Sequence, residues 1–213
     1  MSLYSFSPRE KQELLLATGL FVLVEISLFL SPLRFIDLLI SDFDSWLSSV
    51  FDLVILGILC IPLFLFHELG HKFVAQAYHL KSEFRFLPEL ALISLISVLL
   101  PLKIIAPGVV LSSGGYNGEK DARISLAGPL VNLILGGLFL VLTAILFPGW
   151  AFYMVYVSRF SLDMALFNLL PFSVLDGSKV IRWHPGTYWV VFGITACLWL
   201  FHPLGILGVV LVA

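Results

Sequence analysis

The residues with the clearest chemical capacity are His67, Glu68 and His71, in the run His67-Glu68-Leu69-Gly70-His71. On a helix the two histidines stand one turn apart on the same face. Their imidazoles can therefore share one zinc ion while Glu68 flanks them. In such an arrangement the glutamate is not a ligand: it accepts a proton from the attacking water and later delivers one to the leaving amine. This is the chemistry of a metal-dependent hydrolase. Two imidazoles leave a catalytic zinc short of its usual third protein ligand. No histidine or glutamate stands at the helix-borne spacing downstream of His71 that soluble zinc peptidases use. The best remaining candidate is Asp176, in Asn168-Leu169-Leu170-Pro171-Phe172-Ser173-Val174-Leu175-Asp176-Gly177. Pro171 ends a helix there, and Asp176-Gly177 reads as a turn that leaves a carboxylate on irregular backbone. The two positive charges of zinc would stabilise that carboxylate. An ordinary helix-capping aspartate at the water interface is the equal alternative.

The elements that must position these residues are strongly apolar. Of 213 residues, 60 % are hydrophobic and 12 % charged, and the mean hydropathy is +1.04, whereas soluble domains run near 25 % charged. The expected class is an all-α polytopic membrane protein. About five crossings are expected: Leu14 to Leu30, the stretch from Val50 through the histidine motif to Ala77, Ile124 to Phe147, Trp150 to Leu170, and Tyr188 to Ala213. The first reads as an uncleaved helix, not a signal peptide, because its apolar core is long and no small-x-small site follows. Pro62 should bend the second about a turn before His67. Placing the N-terminus in the cytoplasm leaves Lys81, Arg85, Lys120, Arg123, Lys179 and Arg182 inside and Arg34, near Asp37, Asp42 and Asp44, outside. The opening of the site should then face the cytoplasm. Without repeats or linkers, residues 1–213 form one expected domain with a catalytic core over about 50–183. The net charge of -2 and the absence of a basic tract exclude a nucleic-acid partner.

Between the second and third crossings the pattern changes. Leu90 to Leu100 is too short to span and is broken by Pro101, which suggests a re-entrant or interfacial helix. Ile104 to Ser112 is strand-like around Pro107-Gly108, so a short membrane-associated β segment is expected, followed by a turn region from Ser112 to Gly118. Glu25 is a lone carboxylate in the first crossing, either functional or facing the bundle. Arg159 and Asp163, four apart on one helix, suggest a structural charge pair. Cys60 and Cys197 lie in apolar runs as packing residues, and His79, His184 and His202 lie near helix ends, where contact with metal is not expected. Gly128, Asn132 and Gly136 fall at four-residue intervals, a face that permits close helix approach and can aim one amide at a neighbour.

The order and spacing of His67-Glu68-Leu69-Gly70-His71, Gly128-Pro129-Leu130-Val131-Asn132 and Asn168 through Asp176-Gly177 resemble the site-2 protease family of intramembrane zinc metalloproteases. The likeness spans about half the chain. It implies one catalytic zinc ion held by His67, His71 and Asp176, with Glu68 as base. It also implies that Asn132 and Asn168 orient the scissile amide or its oxyanion. The PDZ or CBS domains that many such relatives carry find no room here. The implied activity is hydrolysis of peptide bonds within or next to transmembrane segments of membrane-protein substrates, in the lipid bilayer. A helical substrate must unwind first, and Gly108, Val109, Val110 and Leu111 are the expected edge that captures it by strand addition. A zinc transporter or sensor using the same ligands is the alternative, and a catalytically silent scaffold a third; the intact Glu68 argues against the last.

Overall fold

The computed structural model describes residues 6–29, 43–98, 105, 107–113, 118–145, 148–172 and 175–203. Among them run the helices α1 (Pro8–Phe29), α2 (Phe43–Ala77), α3 (Pro88–Ser97), α4 (Gly118–Ile145), α5 (Pro148–Asn168), α6 (Asp176–Trp183) and α7 (Pro185–Leu200), and the strands β1 (Lys81–Phe86) and β2 (Gly108–Ser113). The stretch with Arg34, Asp37 and Asp42, the residues around Pro101 and Lys103, the turn expected over Gly114 to Asn117, and Leu204 to Ala213 lie outside the described residues.

Local chemistry explains where the elements begin and end. The Ser7 hydroxyl accepts the Glu10 N–H at 3.1 Å and caps α1. Proline opens α3 and α7 at a position where its missing N–H costs nothing. At 35 residues α2 is about 52 Å long. It stops where His79 turns left-handed, at φ 60°, and the Leu80 N–H bonds back to the Ala75 carbonyl at 3.1 Å.

The core of the bundle is α4, which packs against α5 and α2. At the α2–α4 crossing a Cβ on Gly70 would stand 3.2 Å from the Ala127 carbonyl oxygen and 3.1 Å from Val131, so the middle of the histidine motif is kept bare for the neighbouring helix. At the α4–α5 crossing a Cβ on Gly136 would meet Leu162 at 2.8 Å. The hydroxyls of Ser158 and Ser161 donate there to the carbonyls of Gly136 (2.7 Å) and Asn132 (2.8 Å). Phe21, Phe64, Phe84 and Phe160 form the aromatic centre shared by α1, α2, β1 and α5.

Two helical stretches, Val50–Ala77 and Gly118–Ile145, are long and apolar enough to cross a membrane. Most of each is not covered by the rest of the protein, and Ile58, Ile134, Val141 and Ile145 are exposed. Helices also occupy the other expected spans, over Pro8–Phe29, Pro148–Asn168 and Pro185–Leu200.

Two expectations need correction. The strand-like segment does not stand alone: β2 pairs antiparallel with β1, Arg85 opposite Val109 and Lys81 opposite Ser113. Lys81 and Arg85 therefore sit in a strand, and Ser112 and Ser113, expected in a turn, complete β2. Asp176 and Gly177 are not a turn but the first residues of α6, whose α-helical run the short polar sequence concealed. Lys72, next to the histidine motif on α2, is buried. Its ammonium meets both oxygens of Glu10 (2.7 and 2.8 Å) and the Ser82 carbonyl (3.1 Å). Glu10 and Glu13, one turn apart on α1, in turn accept the backbone N–H groups of Phe84 (2.9 Å) and Phe86 (3.0 Å). Two carboxylates thus stand in for a neighbouring strand along one edge of β1.

Candidate metal centre

Three elements far apart in sequence converge on one point. From α2, His67 and His71 turn their Nε2 atoms toward each other, 3.1 Å apart. From the start of α6, Asp176 Oδ2 lies 3.2 Å from His71 Nε2 and 3.7 Å from His67 Nε2. These are the only three residues among those described that form such a group of donors. Zinc with ligand bonds near 2.0–2.1 Å demands donor–donor edges of about 3.3 Å in a tetrahedron, so the three separations fit one ion. Both histidines are buried and Asp176 is mostly so. In the metal-free site burial works against the Asp176 charge, but a protonated His71 beside it outweighs this and holds its pKa below the ordinary aspartate range.

The third wall of the site is α4, and it contributes chiefly backbone. His71 Nδ1 lies 2.7 Å from the Ile124 carbonyl, which can only accept, so Nδ1 carries the proton and Nε2 is left free for metal. One turn on, a Cβ on Gly128 would collide with His71 Nε2 and come within 2.6 Å of His71 Cε1 and 2.7 Å of His67 Nε2. Any side chain at 128 would occupy the place of the ion. One turn further, the Asn132 amide reaches His67 Nδ1 at 3.1 Å. Residues 124, 128 and 132 thus form one stripe behind the metal position.

Delivery of Asp176 depends on Gly177. A Cβ there would run into the Leu169 carbonyl, with the Leu169 Cα at 2.8 Å, so α6 starts pressed against the end of α5. Glu68 is half-buried next to the ligands and has His71 and Asp176 as its electrostatic neighbours. It is not part of the donor group.

The other sequence candidates separate cleanly. Asn132 lies in the site, against a ligand ring. Asn168, the last residue of α5, donates to the Met164 carbonyl at 3.0 Å and meets none of the three ligands among the described contacts. Gly108, Val109, Val110 and Leu111 lie in β2 as expected. His202 Nε2 meets Ser158 Oγ at 3.2 Å, and His184 caps α7 by accepting the Thr187 N–H at 2.9 Å. Arg159 and Asp163 pair at 3.1 Å, and Trp199 joins them from α7. Glu25 faces the bundle, fully buried against Gly57. Cys60 and Cys197 are free. Sequence reasoning missed the Ile124 carbonyl, which as backbone carries no residue signal. It took Gly128 for packing alone.

No family profile matches the chain, and no solved structure does. Two proteins of Methanocaldococcus jannaschii are similar to it. One, provisionally named a zinc metalloprotease, is 38 % identical over 135 residues, 62 % of this chain and 70 % of its own. The other, named a zinc metalloprotease, is 30 % identical over 138 residues, 63 % of this chain but 35 % of its own length. Zinc is the metal those names imply and the metal the His-His-Asp group fits, and the chain belongs to the zinc metalloprotease family.

Proposed function

We propose that the protein is an intramembrane zinc metalloprotease of the site-2 type, which hydrolyses peptide bonds within or next to the transmembrane segments of membrane-protein substrates. The observation that carries this is the convergence of His67 Nε2, His71 Nε2 and Asp176 Oδ2 at the inner end of an apolar helix, with Glu68 alongside. Bound there, zinc polarises a carbonyl and makes water a better nucleophile at neutral pH. Glu68 accepts the proton of the attacking water and returns it to the departing amine. Asn168 is the amide left to steady the oxyanion, on release of its bond to the Met164 carbonyl.

The exposed apolar faces of α2 and α4 support residence in the bilayer, and the reading of about five crossings rests on the apolar runs that α1, α5 and α7 also occupy. Lys120 lies over the Tyr78 ring, and Arg123 reaches both the Tyr78 hydroxyl and the Trp183 ring, so basic and aromatic residues gather at the α2 end nearer the site. By the positive-inside rule that end, and the opening to the metal, face the cytoplasm.

Substrate is taken up as an added strand on β2. With the outer N–H groups of β1 held by Glu10 and Glu13, the ladder to β2 runs through Arg85–Val109 and Glu83–Leu111. The backbone groups of Gly108, Val110 and Ser112 then face away from β1 and supply the capturing edge.

Reconstituted in vesicles with a transmembrane peptide, the Glu68→Gln protein should retain zinc and lose cleavage. Normal turnover by that variant would sink the mechanism. Zinc flux across the vesicle without cleavage by the unaltered protein would favour transport instead.

A further inference from the structure

Asn132 is fully buried, its backbone carbonyl accepts the Ser161 hydroxyl, and its side-chain amide lies 3.1 Å from His67 Nδ1. The family likeness would aim this amide at the substrate. Its neighbour is instead the far nitrogen of a ligand ring.

A neutral imidazole carries one proton. His67 Nε2 is only 3.1 Å from His71 Nε2 and 3.7 Å from Asp176 Oδ2, where a metal shared by the three takes its lone pair. The proton must then sit on Nδ1, which needs an acceptor. The described groups bring the Asn132 side chain to that nitrogen, at 3.1 Å, and the Gly128 carbonyl also lies against the His67 ring. With the NH2 turned toward Nδ1, the amide oxygen is left buried without a hydrogen-bond partner. A half-turn of the amide exchanges the two groups and places the oxygen against Nδ1–H, the only orientation in which the amide can accept the proton that metal binding leaves on that nitrogen. His71 shows the same device in fixed form, with the Ile124 carbonyl at 2.7 Å from its Nδ1.

We infer that Asn132 is a positioning residue for the zinc site: its amide oxygen accepts the Nδ1–H of His67 and holds Nε2 unprotonated toward the metal. The inference rests on the zinc site proposed above. Ser161, anchored on α5, fixes the turn of α4 from which the amide projects, so a side chain on one helix of the bundle sets the tautomer of a ligand on another.

The test is zinc affinity, measured by chelator competition on the purified full chain, with unfolding temperature followed in parallel. Asn132→Leu, similar in volume and without an acceptor, should bind zinc about 10–100-fold more weakly. Asn132→Asp, which keeps an acceptor and lacks the NH2, should bind at least as tightly as the unaltered protein. The cobalt-substituted Asn132→Leu protein should also show a shifted visible spectrum, because one ligand ring is reoriented, and Asn132→Asp should not. Unchanged zinc affinity in a folded Asn132→Leu protein overturns the inference, whatever happens to cleavage. So does an equal loss in both variants. An unaltered protein that binds no zinc would overturn the zinc site itself, which is a different and separable result.

Discussion

Gly177 lies against the backbone of Leu169 so closely that no β carbon fits between them. This contact sets the angle at which α6 leaves the end of α5, and the residue before it is Asp176 of the His-His-Asp group. Gly177→Ala should push α6 away and withdraw the carboxylate. We expect zinc affinity to fall at least tenfold in a protein that remains helical by circular dichroism. Gly137→Ala, where an added Cβ meets nothing within 4 Å, should leave zinc binding unchanged and gain up to about 1 kcal/mol of stability.

Gly128→Ala tests the other side of the same site. The added methyl would lie against both ligand rings, at 2.7 Å from His67 Nε2. The expected result is loss of zinc, measured as metal content after dialysis, because the methyl takes the ion's place and pushes both buried histidine rings aside.

Lys72 and Glu10 form an ion pair 1 % and 0 % exposed, adjacent in sequence to His71. Removing one partner strands a buried charge, so Lys72→Met should cost about 3–5 kcal/mol. The double variant Lys72→Met with Glu10→Gln should cost much less, since the amide oxygen introduced in place of the carboxylate can still accept the Phe84 N–H. Thermal unfolding in detergent of the single and double variants measures the coupling.

Glu13 ties α1 to β1 and precedes the apolar stretch that starts at Leu14. Burial works against its charge, but Arg9, the Phe86 N–H and Arg85 prevail and lower its pKa from 4.5. A carboxyl whose pKa is depressed on folding contributes stability that is fully present above 4.5 and is lost as the pH falls through the folded value. Acid titration of the unfolding temperature should therefore decline more steeply below about pH 4.5 in the unaltered protein than in Glu13→Gln.

Val110→Pro examines strand capture. The Val110 N–H faces away from β1, so proline there removes a donor from the outer edge and leaves the β1–β2 ladder intact. Cleavage of the transmembrane peptide should drop at least tenfold with zinc content unchanged. Undiminished cleavage by a stably folded variant would count against strand capture.

The chain by itself determined the chemistry and much of the scaffold. A histidine pair one turn apart in a helix must share a face whatever the tertiary structure, and helices do occupy the long apolar runs, because periodicity and length act locally. The strand at Gly108 was legible from its β-branched composition, though not its partner: Lys81–Phe86 is mostly polar or aromatic and becomes a strand only because β2 on one edge and two α1 carboxylates on the other satisfy its backbone. Asp176 was one of two equal readings, and a helix start fits both; its place beside His67 and His71 comes from the packing of α6 on the end of α5, which no local signal carries. The role of Asn132 belonged entirely to the tertiary structure. An amide is donor and acceptor alike, and which it must be depends on the tautomer of a ring 65 positions away in sequence, which the metal's other ligands decide.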